Sequence, residues 1–347
     1  MSAPFVSDPA GVVTAPEIAA AQRTLGAAIR RTPTIHSALL SERLGVDLHL
    51  KLELQQHTGS FKARGAFNRI AQLSDTERAR GVITVSAGNH AQAVAWAARG
   101  AGVAATVVMP DGAVQMKVDA TRAFGAEVVL TPGPTLLPTM QRMQAERNLV
   151  FIPPFDDRFI IAGAATCGVE LLEDVPDVDV ILVGVGGGGI VSGLLAAANA
   201  REAAVRIIGV EPEGAMGMTR SVREGAPVRL DRVHSIADGL AAPWAGALNY
   251  QHVRDLHAEM VTVTDDAIVE ALFTLRGACG IAAEPAAAAC LAALMSGVVR
   301  LPAGTRVACV VTGGNVDASR LAELGELAKR AEQAELAACR PPTPEGR

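Results

Sequence analysis

The first residue with the potential for chemistry is a lysine at the start of a predicted helix. Lys62 lies in the segment Ser60-Phe-Lys-Ala-Arg-Gly-Ala66, between an aromatic residue and small residues. A lysine that acts as nucleophile and base needs a pKa below its ordinary range, and partial burial with Arg64 close in sequence is expected to lower it. By itself, the pattern is more typical of a surface lysine, because lysine side chains are mostly exposed.

A run of glycines follows one predicted strand and opens the next predicted helix. In Gly184-Val-Gly-Gly-Gly-Gly189, the backbone N–H groups and the helix dipole are expected to form an anion site suited to phosphate. The same glycines satisfy the GxGxxG pattern of dinucleotide-binding folds, and Glu211 ends the next strand, where such folds place the acid that binds the ribose. An NAD-dependent oxidoreductase is therefore one possible class of enzyme. The mid-chain position and the unbroken four glycines weaken that alternative. A tight turn without a ligand is disfavoured, because adjacent glycines raise unfolded-state entropy without helping packing.

A short polar segment ends another predicted strand. Ser86-Ala-Gly-Asn-His90 lies where open α/β sheets bind ligands, and its small polar residues suit a carboxylate. An ordinary strand-to-helix connection with Asn89 as the helix cap fits equally well. The remaining histidines lack ligand spacing, so no metal site is expected, and Glu211 is expected to be an exposed strand-end acid.

The elements that must position these segments alternate between strand and helix. One such series runs through residues 81–147 and a second through 178–210, and Arg306–Val311 is the last clear strand. This alternation predicts parallel sheets with covering helices, and two α/β lobes. Near the chain ends, Thr14-Ala-Pro-Glu17 is typical of a capping box, and a charged helix is expected from about Asp317 to Ala338.

Composition narrows the class of partner. The chain has 347 residues, half of them apolar, and a formal net charge of -5 without a dense basic tract, so a small molecule is expected rather than nucleic acid or a membrane. No signal sequence or membrane anchor is visible, and the cysteines form no CxxC pair, which together favour a reducing, cytoplasmic location. The five cysteines are Cys167, Cys279, Cys290, Cys309 and Cys339. The first four are expected to be small hydrophobic residues of the core.

These segments, in this order and together with Thr312-Gly-Gly-Asn315, resemble fold-type-II pyridoxal-phosphate enzymes of the threonine dehydratase (threonine ammonia-lyase) and serine racemase branch. The resemblance extends from about Thr14 to Ser319. It also includes three shorter motifs, which are Gly125-Ala-Glu-Val128, Ile236-Ala-Asp-Gly239 and Glu284-Pro285. Four motifs in the right order outweigh the surface-lysine interpretation of Lys62.

The resemblance implies an α/β fold with two lobes, built from parallel-rich twisted sheets with helices on both faces. Residues 1–80 and 157–325 would form the large cofactor-binding domain, and residues 81–156 the small mobile domain. Residues 326–347 would hold the end of the C-terminal helix and a tail. A homodimer or homotetramer is implied, with an amino acid as the substrate.

The resemblance also implies the cofactor site. Lys62 would carry pyridoxal 5'-phosphate as a Schiff base, with Phe61 lying against the pyridine ring. Thr312 would face the pyridine nitrogen, where a neutral hydroxyl leaves the nitrogen mainly unprotonated and favours β-elimination. The remaining cofactor contacts are implied at Asn89, Gly186, Gly187, Gly188, Gly189, Gly239 and Glu284. The substrate would be bound by Ser86, Ala87, Gly88, Asn89 and His90.

The expected reaction is dehydration of L-threonine or L-serine to a 2-oxo acid and ammonia. Racemisation needs a second acid or base, and Ala87 replaces the serine that the racemases have there, so little racemase activity is expected. The family commonly has Gly-Gln-Gly-Thr where this chain has Gly163-Ala-Ala-Thr166, so substrate-side polarity or helix packing differs. Alternatives are a dehydratase of another 3-hydroxy amino acid such as 3-hydroxyaspartate, a serine racemase, and a β-replacement synthase. Gly217 replaces one acid of the racemases' cation site, so no divalent ion is expected.

Overall fold

The computed structural model describes residues 11–326. The strands are β1 (Thr34–His36), β2 (Asp47–Lys51), β3 (Val82–Val85), β4 (Ala105–Pro110), β5 (Glu127–Thr131), β6 (Val150–Phe151), β7 (Val180–Gly184), β8 (Arg206–Pro212), β9 (Glu259–Val263) and β10 (Arg306–Val310). The helices are α1 (Ala15–Leu25), α2 (Ala38–Leu44), α3 (Lys62–Ala71), α4 (Asp75–Arg80), α5 (Asn89–Ala101), α6 (Gln115–Ala123), α7 (Leu136–Arg147), α8 (Arg158–Asp174), α9 (Gly189–Ala200), α10 (Gly217–Glu224), α11 (Ala247–Asp255), α12 (Asp265–Cys279) and α13 (Pro285–Met295). A further helical stretch begins at residue 318.

The larger sheet has six strands in the order β1-β2-β10-β7-β8-β9. All neighbours are parallel except β1 and β2, which pair antiparallel. Its central strands are continuous apolar runs, because helices cover both faces of a parallel sheet and leave no side of the strand in water. In β7, for example, all five residues are buried.

The smaller sheet has four strands in the order β5-β4-β3-β6, all parallel. It is built entirely from residues 82–151, whereas the larger sheet takes its strands from residues 34–51 and 180–310. The predicted α/β class with two parallel-rich sheets is confirmed. The exact domain boundaries and the mobility of the smaller lobe stay predictions.

The two predicted series, residues 81–147 and 178–210, begin and end within two residues of the observed elements, and the last predicted strand, Arg306–Val311, is one residue longer than β10. Glu17 accepts hydrogen bonds from the backbone N and the Oγ1 of Thr14 (2.8 and 2.7 Å), which confirms the capping box. The predicted helix from Asp317 starts at 318, and its part beyond 326 lies outside the described residues, as does Cys339. Cys279 is only half-buried, whereas the other three predicted core cysteines are buried. No helix within residues 11–326 has the length and apolar character needed to span a bilayer.

Three helices approach one another at glycine and alanine positions. A Cβ atom on Gly163 of α8 would lie 2.6 Å from the carbonyl oxygen of Arg64 in α3. On the neighbouring helix α9, a Cβ atom on Gly193 would lie 2.6 Å from the backbone nitrogen of Ala165. Ala164 and Ala165 are buried in this packing. The difference between Gly163-Ala-Ala-Thr166 and the family's Gly-Gln-Gly-Thr therefore affects the packing of these helices.

A buried network of charges ties α3 to β2 and α8. The Arg64 side chain is fully buried and donates to Glu53 through Nε (2.8 Å) and to Glu170 through Nη1 (2.7 Å). Lys51, also fully buried, donates to Glu170 (2.8 Å) and to the carbonyl of Thr32 (2.7 Å). Burial opposes ionisation of Glu53, but Arg64, Thr32 and Lys51 together outweigh it and hold the pKa of Glu53 below its ordinary value. The pairs keep each charge compensated away from water.

Loss of one cation from this network should destabilise the protein strongly. We expect Arg64→Met to lower the free energy of unfolding by about 3–5 kcal/mol, because it leaves buried carboxylates unpaired. The control Arg206→Met removes an exposed ion pair with Glu259 and should cost about 0–1 kcal/mol. Urea unfolding followed by circular dichroism measures both, and equal losses in the two variants would contradict the role given to the network.

Candidate active site

A cavity of about 690 Å³ lies where the C-terminal ends of β3 and β7 meet the start of α3. Every residue predicted for the site lines it, and these are Phe61, Lys62, Ser86, Ala87, Gly88, Asn89, His90, Gly186, Gly187, Gly188, Gly189, Gly239, Glu284 and Thr312. The structure thus brings the predicted residues together from both lobes. The role of each residue stays a prediction.

Two helix N-termini face this cavity. The glycine turn after β7 leads into α9, and Ser86–Gly88 after β3 leads into α5. Within residues 11–326, no carbonyl or side chain accepts a hydrogen bond from the backbone N–H groups of Gly186, Gly187 or Gly188. Backbone donors away from bulk solvent are normally paired, so these groups are available to an anion. The start of α5 offers a second such place in the same cavity.

The glycine turn has no room for side chains. A Cβ atom on Gly187 would lie 2.3 Å from the Phe155 ring. Gly188 has a φ of 103°, in the region that favours glycine, and a Cβ there would lie 2.7 Å from Asn249 Cβ. The backbone therefore approaches its neighbours, and the cavity, as closely as only glycine allows.

Lys62 is the first residue of α3, and its amine is held in the cavity. Nζ donates to the carbonyl of Pro154 (2.7 Å) and lies 5.1 Å from the centroid of the Phe61 ring. Burial lowers the pKa of Lys62 to about 8, although the charge of Glu284 acts in the opposite direction. The expected contribution of Arg64 to this shift is wrong. Residues two positions apart in a helix point about 200° away from each other. The Arg64 side chain therefore points away from the cavity, towards Glu53 and Glu170.

A chain of amides and one carboxylate crosses the cavity floor. Asn89 Nδ2 donates to Glu284 Oε1 (2.7 Å), and Asn89 Oδ1 accepts from Asn315 Nδ2 (2.8 Å). Burial and then the charge of Asp238 raise the pKa of Glu284 to about 7. Asp238 itself pairs with Lys117 of α6, an ion pair that joins the two lobes beside the cavity. Lys117 was not identified from the sequence as a site residue, because no motif around it indicates that it pairs with Asp238.

His90 is buried and neutral. Its Nε2 lies 3.1 Å from the carbonyl oxygen of Ile152, so this nitrogen carries the proton. Burial, followed by the charge of Lys62, lowers the pKa of His90 to about 3. The imidazole therefore has no N–H left for a substrate carboxylate. Only the backbone N–H of His90, in the first turn of α5, remains available for that role.

The expectation that Glu211 is exposed is wrong. Its side chain is fully buried and accepts hydrogen bonds from the backbone nitrogens of Met218 (2.8 Å) and Thr219 (2.7 Å) at the start of α10. Burial raises the pKa of Glu211 to about 7. Its role in the structure is to cap a helix, a contact that strand position alone does not reveal. Among residues 11–326, no group of three or more His, Cys, Asp or Glu side chains is arranged to hold a metal ion.

Comparison with known proteins agrees with this geometry. Residues 25–313 match the family model described as pyridoxal-phosphate dependent enzyme. This chain belongs to that family. The match decides against the NAD-dependent oxidoreductase considered from the glycine run.

Individual relatives cover most of the chain. An L-threonine ammonia-lyase of Thermotoga maritima is 41% identical over 313 residues, which are 89% of this chain and 77% of the relative. A phenylserine dehydratase of Ralstonia pickettii is 40% identical over 295 residues, 85% of this chain and 90% of the relative. The structure of maize serine racemase matches with a TM-score of 0.86 and 34% identity, covering 93% of this chain and 99% of that one.

The residues present fit pyridoxal 5'-phosphate, the cofactor of this family. The free N–H groups at the start of α9 suit its phosphate, and the partly buried amine of Lys62, with its lowered pKa, suits its aldehyde. The ring would lie between these two points, where Phe61, Asn89 and Thr312 line the cavity. Each polar group of the cofactor would thus have a protein group of suitable chemistry in the same cavity.

The lowered pKa of Lys62 can be measured directly. With the cofactor removed, we expect the rate at which pyridoxal 5'-phosphate labels Lys62 to rise with pH around a midpoint of about 8. The neutral amine is the nucleophile, and it predominates only above its pKa. Borohydride trapping and peptide mass spectrometry measure the rate. A midpoint near the ordinary lysine value of 10.5 would contradict the effect of burial.

The glycine turn should not tolerate a methyl group. We expect Gly187→Ala to weaken cofactor affinity by about tenfold or more, because overpacking costs about 1–3 kcal/mol and each 1.4 kcal/mol is a factor of ten. Gly133 also lines the cavity, but a Cβ there has no neighbour within 4 Å, so Gly133→Ala is the matched control. Fluorescence titration of the cofactor-free protein gives both dissociation constants. Similar dissociation constants in the two variants would show that the glycine turn can accommodate a methyl group at residue 187.

Proposed function

We propose that this protein is a pyridoxal-phosphate-dependent dehydratase that converts L-threonine and L-serine into 2-oxo acids and ammonia. The observation that carries the proposal is the position of the Lys62 amine, with its lowered pKa, in one cavity with the free N–H groups of the glycine turn. The relatives named L-threonine ammonia-lyase and L-threonine dehydratase support it. L-Threonine would give 2-oxobutyrate, and L-serine would give pyruvate.

Lys62 supplies the base. Bound pyridoxal phosphate withdraws electrons from the Cα of the amino acid and so weakens its C–H bond. A lysine amine with a pKa of about 8 is partly neutral near physiological pH and can take the Cα proton. The 3-hydroxyl then leaves as water, and water returns when the nitrogen is released as ammonia.

The start of α5 orients the substrate. The backbone N–H groups of Ser86 and Gly88 donate within the protein, and the His90 imidazole uses its N–H on Ile152. The backbone N–H groups of Ala87, Asn89 and His90 would therefore hold the substrate carboxylate. This contact fixes Cα beside Lys62. Asn89 would hold the cofactor's ring hydroxyl and is itself positioned by Glu284 and Asn315.

Two side chains favour elimination over racemisation. Thr312 follows β10 and lines the cavity, and its hydroxyl would leave the pyridine nitrogen mainly unprotonated, which shortens the life of a carbanion. Ala87, in the segment that would hold the carboxylate, carries a methyl group that cannot transfer a proton. The racemase function is therefore not part of the proposal.

Relatives of similar identity are named for different 3-hydroxy amino acids, so they leave open which group on Cβ the site prefers. A cytoplasmic location and a homodimeric or homotetrameric assembly are also part of the proposal, and they rest on composition and family resemblance. Size-exclusion chromatography with light scattering tests the assembly.

Removing the Lys62 amine should abolish both cofactor attachment and turnover. We expect the purified protein to absorb visible light and to release ammonia from L-threonine, and Lys62→Ala to lose both, with a fall in kcat of at least about a thousandfold. The control Ser41→Ala lies on α2, outside the cavity, and should keep both.

The same reaction mixtures also test stereochemistry. Chiral chromatography of L-serine incubations should detect D-serine only at a small fraction of the ammonia released. D-Serine formation comparable with ammonia release would replace the dehydratase proposal by a racemase. A colourless wild-type protein without activity on any 3-hydroxy amino acid would overturn the proposed function altogether.

A further inference from the structure

The part of the cavity not assigned to the cofactor or the carboxylate is lined mainly by apolar side chains. On one wall these come from the start of α7 and the residues before it, namely Pro134, Leu136, Leu137 and Pro138. On the other wall they are Phe155, Ala241, Ala242, Pro243 and Trp244. With the carboxylate at α5 and Cα beside Lys62, these walls remain for the side chain of the substrate.

We propose that these walls form a subsite for an aromatic or large apolar group on Cβ, so that the enzyme dehydrates 3-arylserines in addition to L-threonine. The inference rests on the proposed function and narrows its substrate class. The reaction is the same elimination. The 3-hydroxyl leaves as water, one water is taken up when the nitrogen is released as ammonia, and 3-phenylserine gives 2-oxo-3-phenylpropanoate.

The most specific feature of the subsite is an aromatic corner made by Phe155 and Trp244. The two ring centroids are 6.1 Å apart and the rings are inclined at 60°, an edge-on arrangement. Phe155 is buried against Gly187 of the glycine turn, and Trp244 is half-buried at the cavity wall. A third ring can pack against such a corner with the offset or edge-on geometry that aromatic pairs prefer.

Backbone contacts hold the corner in place before any ligand binds. Gly246 N donates to Gly187 O (3.0 Å), which ties the loop carrying Trp244 to the glycine turn. Leu230 N donates to Pro243 O (2.8 Å), and the guanidinium of Arg229 lies 5.0 Å from the centroid of the Trp244 ring. A wall that is already ordered loses little entropy when a ligand packs on it.

The charges near the subsite argue for an apolar substituent rather than an anionic one. Lys117 is engaged by Asp238. Arg229 also lines the cavity, but it is exposed, so water solvates its charge, and its guanidinium lies over the Trp244 ring. A methyl group such as that of L-threonine would cover little of the apolar lining. An aryl ring would remove much more of it from water, which is the main source of affinity in such a pocket.

The test compares holoenzyme activity on L-threonine, L-threo-3-phenylserine and 3-hydroxyaspartate. For the wild type, we expect kcat/KM for phenylserine to lie within about tenfold of that for L-threonine or above it. Trp244→Ala should lower the ratio of phenylserine to threonine kcat/KM by at least about tenfold, and Trp244→Phe should keep most of it, because it retains an aromatic wall. Leu137→Ala on the opposite wall provides a second variant and should lower the same ratio.

Binding without turnover gives an independent measurement. L-Phenylalanine and L-2-aminobutyrate lack the 3-hydroxyl, and their inhibition constants against L-threonine report the subsite alone. We expect L-phenylalanine to bind the wild type more tightly and to lose this advantage in Trp244→Ala.

Three results would overturn the inference while leaving the proposed function intact. The first is activity on L-threonine with phenylserine more than about a hundredfold poorer. The second is an unchanged ratio of phenylserine to threonine kcat/KM in both Trp244→Ala and Leu137→Ala. The third is a preference for 3-hydroxyaspartate over phenylserine that disappears in Arg229→Gln. Absence of ammonia from every substrate would instead contradict the proposed function.

Discussion

Partial removal of the Lys62 amine from water is the constraint on which the rest of the site depends. An ammonium group that is partly buried in the protein loses solvation, and a single carbonyl contact to Pro154 replaces only part of it. The resulting low pKa makes the amine reactive near neutrality. The residues that partly bury the amine are therefore as much a part of the chemistry as the amine itself. The buried ion network below α3 keeps this helix start in position while the lysine bears the cost of desolvation.

The sequence identifies the parts of the site that are local in the chain. The glycine turn and the Ser86–His90 segment each combine a strand end with a helix start, and both are visible as short motifs with the correct alternation around them. The parallel sheets follow from the same alternation. The order of the strands in each sheet was not predicted. That both loops open into one cavity was expected from family resemblance rather than from any local pattern.

Features that depend on contacts between distant residues could not be predicted. Glu211 ends a strand, as expected, but the N-terminus of α10 folds over it and buries it. Arg64 is close to Lys62 in sequence, yet the helical rotation sends it to Glu53 and Glu170. The pair between Lys117 and Asp238 joins residues 121 positions apart, and neither has a neighbour that marks the other. Such contacts require the tertiary fold, because side-chain type alone does not specify a partner.

The glycine contacts of α8 have a geometric consequence for the whole molecule. This helix touches α3, which begins with Lys62, at Gly163, and it touches α9, which begins at the glycine turn, near Ala165. Helix α8 therefore sets the distance between Lys62 and the backbone N–H groups of the glycine turn. A methyl group added at Gly163 or Gly193 would lie 2.6 Å from backbone atoms of the neighbouring helix and would push the two helices apart. The distance that the cofactor must bridge is therefore determined in part by residues that do not line its cavity.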